Sequence, residues 1–126
     1  MRFAIAVHGA PYASQAAWSA CKFVTAAADQ GHEVMRVFFY HDGVRLADGL
    51  SVTPQEDQDL VAQWQAIAKA HGIELAVCIA ACLKRGILND EERDRYEKTA
   101  ISLADGFEIV GLGQLIDAIM SSDRFI

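Results

Sequence analysis

Three features of the sequence predict a three-layer α/β fold on a mainly parallel, five-stranded sheet. Short apolar runs alternate with helix-length amphipathic stretches from one end of the chain to the other. The runs, "RFAIAV" foremost, are apolar on both faces, as are strands covered by helices on both sides. Turn and cap residues separate the two kinds of segment, most clearly Gly31, Asp42-Gly43 and Gly72.

"RFAIAVHG", bounded by glycine, reads as the first strand. "ASQAAWSACKFVTAAADQG" reads as the first helix, with Ser14 as N-cap and Gly31 just past its C-terminus. "HEVMRVFFYHDG" gives the second strand, closed by a turn at Asp42-Gly43, and "VRLADGLSVTPQED" a polar loop. The second helix is expected to open at a capping box, with Thr53 as N-cap, Pro54 at the first helical position and Glu56 at the third. Leu60, Trp64, Ile67 and His71 repeat on one face of that helix, and Gly72 ends it. "IELAVCIA" is the third strand. "CLKRGILNDEERDRYEK" holds a short helical turn and a charged segment. "FEIVG" is the fourth strand, "LGQLIDAIMSSD" the last helix with Leu112, Leu115, Ile116 and Ile119 as its buried stripe, and "RFI" the fifth strand. No linker, repeat or low-complexity tract interrupts this order, so residues 1–126 read as one domain. Right-handed crossovers would place helices on both faces. Sites in such sheets form beyond the carboxyl ends of the strands, near the point where strand order reverses. Here those ends are His8-Gly9, Tyr40-His41, Cys78 and Val110-Gly111.

The chain has 126 residues, enough to bury a core, and 52% of them are hydrophobic, which suggests surplus apolar surface for an interface, with the segment around Trp18 and the segment around Leu46 and Leu50 as candidates. No apolar run approaches the roughly 18–20 residues that span a bilayer, and the start "MRFAIAVHGAPY" lacks the pattern of a signal peptide. A cytoplasmic protein without membrane contact is expected. The net charge of −6 argues against direct nucleic-acid binding, which needs clustered Lys and Arg. Cys21, Cys78 and Cys82 are an odd set with no CxxC, which argues against a disulfide framework. No His/Cys cluster has zinc spacing. Gly111-Leu-Gly113 is too short for a dinucleotide fingerprint, and no phosphate-loop lysine exists. Neither a cofactor nor a metal is expected, and no acid–base carboxylate pair stands out.

Cys78 carries the chemistry if any residue does. It sits where the third strand hands over to a helical turn, beside unpaired N–H groups and the positive end of a helix, conditions that favour a thiolate. The N–H groups of residues 79–83 are expected to be its main support, with Arg85 second and Lys84 nearby. The alternative reading makes Cys78 a small buried hydrophobe, and Lys84 with Arg85 a patch for a partner's acidic face. Cys82 at i+4 and Cys21 in the alanine-rich helix read as packing. Of the four histidines, His41 is best placed to reach the strand ends.

The pieces "RFAIAVHGAPYASQ", "GHEVMRVFFYHDGV", "DLVAQWQAIAKAHGIELAVCIAACLKRGI" and "GLGQLIDAIMSSDR" together resemble the DsrE-like sulfur-relay family, on its DsrE/TusD branch. The combination of "VFFY-x-DGV" with "VC-x-AA-x-x-RG" is its most specific part. The resemblance implies a sulfurtransferase subunit that carries sulfur as a persulfide on the cysteine ending the third strand, Cys78 here. It implies a heterohexamer with two homologous subunits, one DsrF/TusC-like and one DsrH/TusB-like. It also implies a TusA-like sulfur donor and a TusE/DsrC-like acceptor, in dissimilatory sulfur oxidation or in tRNA 2-thiouridine synthesis. Cys82 has no counterpart in the family pattern, where alanine is expected. Two other readings stay open: a non-catalytic structural subunit of the same assembly, and a flavodoxin-like small-molecule binder, which the missing phosphate loop counts against.

Overall fold

The computed structural model describes residues 1–126. In chain order it has β1 (Arg2–Val7), α1 (Ala16–Asp29), β2 (Glu33–Phe39), a 3-10 helix (His41–Ala47), α2 (Leu60–His71) and β3 (Glu74–Cys78). There follow α3 (Ile79–Lys84), α4 (Asp90–Arg95), β4 (Phe107–Val110), α5 (Gly113–Ser121) and β5 (Arg124–Phe125). The sheet order is β4-β3-β2-β1-β5, and every strand pair is parallel. The chain steps outward from β1 to β4, then crosses back to set β5 on the far side of β1.

The alternation of side chains along β2 shows how the layers are filled. Phe39 points to α2 and meets Trp64 edge-on at 5.2 Å between ring centroids. On the same face Phe3 of β1 meets Phe23 of α1 at 5.4 Å. Arg36 points the other way, to α5. Its guanidinium donates to the Gln114 carbonyl at 2.9 Å and pairs with Asp117 at 3.0 Å and with Glu74 of β3 at 2.7 Å. A charge this well buried is tolerable because three acceptors satisfy it. Two helices thus cover one face of the sheet, and α5 alone packs through Arg36 on the other.

Several local expectations need correction. The second helix does not open at Thr53-Pro54. It starts at Leu60, where Asp59 is the N-cap and accepts from the Ala62 N–H at 3.0 Å. Both segments carry a cap-like residue, but only the second precedes residues that find the core, Leu60 and Trp64. For α1 the N-cap is Gln15, although Ser14 Oγ still accepts from the Ala16 N–H at 3.2 Å. Gly31 and Gly72 lie at left-handed φ values of 83° and 66°, as helix-ending glycines do. The stretch after β2 is not a simple turn and polar loop. It is a 3-10 helix whose Val44, Leu46 and Ala47 are buried. Gly43 makes this possible, because a Cβ there would stand 2.1 Å from the Val7 carbonyl oxygen. The stripe on α5 is the largest departure: only Ala118 is buried, while Leu112, Ile116, Ile119 and Met120 are exposed.

Candidate functional site

The carboxyl ends of β1, β2 and β3 bring His8, Tyr40, His41 and Cys78 to one edge of the sheet. Cys78 ends β3, pairs in register with Val110 of β4, and is at once the N-cap of α3. It lies on an inner strand, not at the reversal of strand order, which falls between β1 and β5. The local sequence explains the handover. Ala76, Val77 and Cys78 are small or β-branched and suit a buried strand, whereas Ile79–Lys84 contains two alanines and leucine and suits a helical turn.

Cys78 is 2% exposed and belongs to the main core cluster. Its sulfur accepts no capping hydrogen bond from α3. The expected backbone cradle over residues 79–83 is therefore not formed around the thiol in this state. Cys82 lies one turn on, fully buried. Burial pushes its thiol up to about 12, with the neighbouring Cys78 adding to the rise and Arg85 opposing it. Cys21 is raised by burial as well, and its thiol lies 3.8 Å from Gln63 Oε1. All three cysteines are unpaired.

Arg85 does not stand free beside Cys78. Its Nε and Nη2 reach Asp42 Oδ1 at 3.0 and 2.9 Å, and its Nη1 donates to the Ala81 carbonyl at 3.0 Å. It closes the end of α3 and fastens it to the 3-10 helix. Lys84 is exposed and makes no ion pair, facing a surface groove with Leu83. His41 does reach the strand ends, with a left-handed φ of 48°. It packs on Tyr40 at 4.0 Å and near His8 at 5.1 Å between ring centroids. Tyr40, one residue past the Phe39–Val77 pair, stands at the level of Cys78.

Sequence reasoning placed His8, Tyr40 and His41 at strand ends but missed their packing into one aromatic group and the role of Asp42. His8 and Tyr40 are far apart in sequence, and only the parallel pairing of β1 with β2 joins them. The one local signal was that both follow strand-like runs directly. No group of three or more His, Cys, Asp or Glu is arranged to hold a metal ion, and no helix is long and apolar enough to cross a membrane.

The model of the DsrE/DsrF-like family matches residues 1–126. The chain belongs to that family. It is 41% identical to the DsrE protein of Allochromatium vinosum, over 100% of this chain and 97% of that one. It is 44% identical to a sulfurtransferase TusD homolog of Pseudomonas aeruginosa, over 100% and 95% of the two chains. With the sulfurtransferase TusD of Salmonella arizonae the identity is 42%, over 100% and 98%. Among solved structures, the ychN protein from E. coli superposes with a TM-score of 0.77 at 22% identity, covering 100% of this chain and 97% of that one. That likeness establishes the shared fold.

Proposed function

We propose that this DsrE-like chain is a sulfurtransferase subunit that relays sulfur as a persulfide on Cys78. The observation that carries the proposal is the place of Cys78: the last residue of an inner parallel strand and the first of a helical turn, in a chain whose full-length relatives are named sulfurtransferases. The chemistry asks little of the protein. The Cys78 thiolate attacks the outer sulfur of a donor persulfide, the donor's S–S bond breaks, its thiolate leaves, and a new S–S bond forms on Cys78. Passing the sulfur on repeats the step with Cys78 as the donor. No redox partner, metal or general acid is consumed.

The companions belong to the same reading: two homologous subunits, DsrF/TusC-like and DsrH/TusB-like, in a heterohexamer, a TusA-like donor and a TusE/DsrC-like acceptor. A cytoplasmic setting suits three unpaired cysteines. Burial of Cys78 favours a second reading, in which the chain is a structural subunit and another subunit supplies the reactive thiol.

One experiment separates the two readings. Incubation with a persulfidated donor protein should add one sulfur atom, ~32 Da by intact mass. Cys78→Ser should abolish the gain, while Cys21→Ser and Cys82→Ser should keep it. Loading that persists in Cys78→Ser would overturn the assignment. A wild-type chain that never loads, even inside the assembled complex, would leave the structural subunit as the answer.

A further inference from the structure

We infer that the groove between α3 and residues 96–102 seats a partner segment that combines apolar side chains with carboxylates. The groove encloses about 500 Å³. Leu83 and Leu88 form its apolar part, and Leu50 and Tyr96, 65% and 50% exposed, flank it. Two large apolar side chains left this open beside a depression have more contact to gain from an occupant than from solvent.

Charge decides which occupant. The chain carries 17 Asp and Glu against 11 Lys and Arg, yet no carboxylate lines this groove. Two of the four lysines, Lys84 and Lys98, do. Both are exposed. The side-chain ion pairs of the chain are all made by arginines, so neither ammonium is neutralised from within. An apolar depression with two unpaired cations, on a protein of net charge −6, is complementary to an amphipathic acidic peptide and repels a basic one.

The position of the groove says which protein brings that peptide. Leu83 lies five residues after Cys78, about 7–8 Å along a helical rise. A segment docked here holds its own protein against the end of α3, the short helix that Cys78 caps at its other end. The occupant is thus a segment of the acceptor carrier that takes sulfur from Cys78, and this identification rests on the persulfide reading. The complementarity of the groove does not.

The test uses the full chain and two fluorescein-labelled probes, Leu-Glu-Leu-Leu-Glu with a free carboxylate and Leu-Lys-Leu-Leu-Lys amidated. The acidic probe should bind the wild type and lose about tenfold in affinity for Lys84→Glu/Lys98→Glu, with the basic probe showing the opposite preference. Equal affinity of wild type and variant for the acidic probe, or no binding of it at all, would overturn the groove. In a second arm, Cys78 is loaded from inorganic polysulfide and the sulfur is passed to a TusE/DsrC-like carrier. The double variant should load as the wild type does, while its KM for the carrier rises about tenfold and kcat holds. An unchanged KM would overturn the carrier as occupant. A chain that discriminates the probes but takes up no sulfur, alone or inside the assembled complex, would refute the persulfide role of Cys78 and leave the groove standing.

Discussion

Cys82 shows how a residue of unremarkable sequence context acquires a definite physical property. A thiol on the second turn after β3 has nowhere to go but the core, and there the thiolate is disfavoured until pH about 12. The unfolded chain releases the same proton near the ordinary value of 9.0. Above that value the unfolded state therefore binds fewer protons than the folded one, and stability falls as pH rises from about 9 to about 12. Below pH 9 the group contributes no slope. Cys82→Ala should cost roughly 1 kcal/mol at neutral pH by leaving a small cavity, and should flatten the decline of urea midpoints between pH 9 and pH 10.5. A decline as steep as in the wild type would show that other groups, Cys21 among them, carry the alkaline sensitivity. Cys78 was legible as a candidate from its position alone. Its burial was the alternative reading there, and only the packed chain decides it, with Cys78 2% exposed in the main core cluster.

At the scale of elements, the strands and the helix-ending glycines could be read from the sequence because apolar runs and left-handed glycines are local signals. The opening of α2 could not. The Thr53-Pro54 box satisfies every local rule for a helix start, yet Asp59 wins because packing decides which of two adequate caps is used. The 3-10 helix was equally hidden, since it depends on Gly43 meeting the end of β1. This element matters to the site because Asp42 within it holds Arg85, and Arg85 holds the end of α3. Arg85 was expected as a secondary support of the Cys78 thiol, or with Lys84 as a patch for a partner, and its contacts give it a fastening role. Arg85→Ala and Asp42→Ala should each cost roughly 1 kcal/mol, the worth of a part-exposed charged hydrogen bond. The double variant should cost little more than either single one, because both remove the same link. Chemical denaturation of the four proteins gives the cycle directly, and additive losses would mean that the pair does not bind α3 to the 3-10 helix. Arg85→Lys should recover only part of the loss, since an ammonium cannot serve Asp42 and the Ala81 carbonyl with a planar fork.

The whole molecule is lopsided. One face of the sheet is covered by α1 and α2, whose side chains join those of the strands, the 3-10 helix and α3 in the main core. The other carries α5 alone, held through Arg36, and α5 turns an apolar stripe outward: Leu112 is 46% exposed, Ile116 62%, Ile119 42% and Met120 80%. Phe125 and Ile126 at the adjoining sheet edge are exposed as well. The sequence pattern of α5 is that of a helix burying one side and was read as a buried stripe, but nothing within the chain covers it. The surplus of apolar residues was also expected to surface, but around Trp18, Leu46 and Leu50. Leu46 is fully buried and Trp18 half-buried, so of these only Leu50 lies open. If the chain assembles with companion subunits of the same fold, α5 is the face that gains most from being covered, because each large side chain removed from water there returns about 1.5–3 kcal/mol. Ile116→Asp/Met120→Asp leaves the sheet, the Arg36 network and Cys78 untouched. The variant should fold as a monomer with wild-type denaturation behaviour. Co-expressed with its two companions, it should fail to co-purify, where the wild type gives one complex of defined mass by light scattering. A complex that forms as well with the double variant would place the interface elsewhere and leave the α5 stripe without a role in assembly.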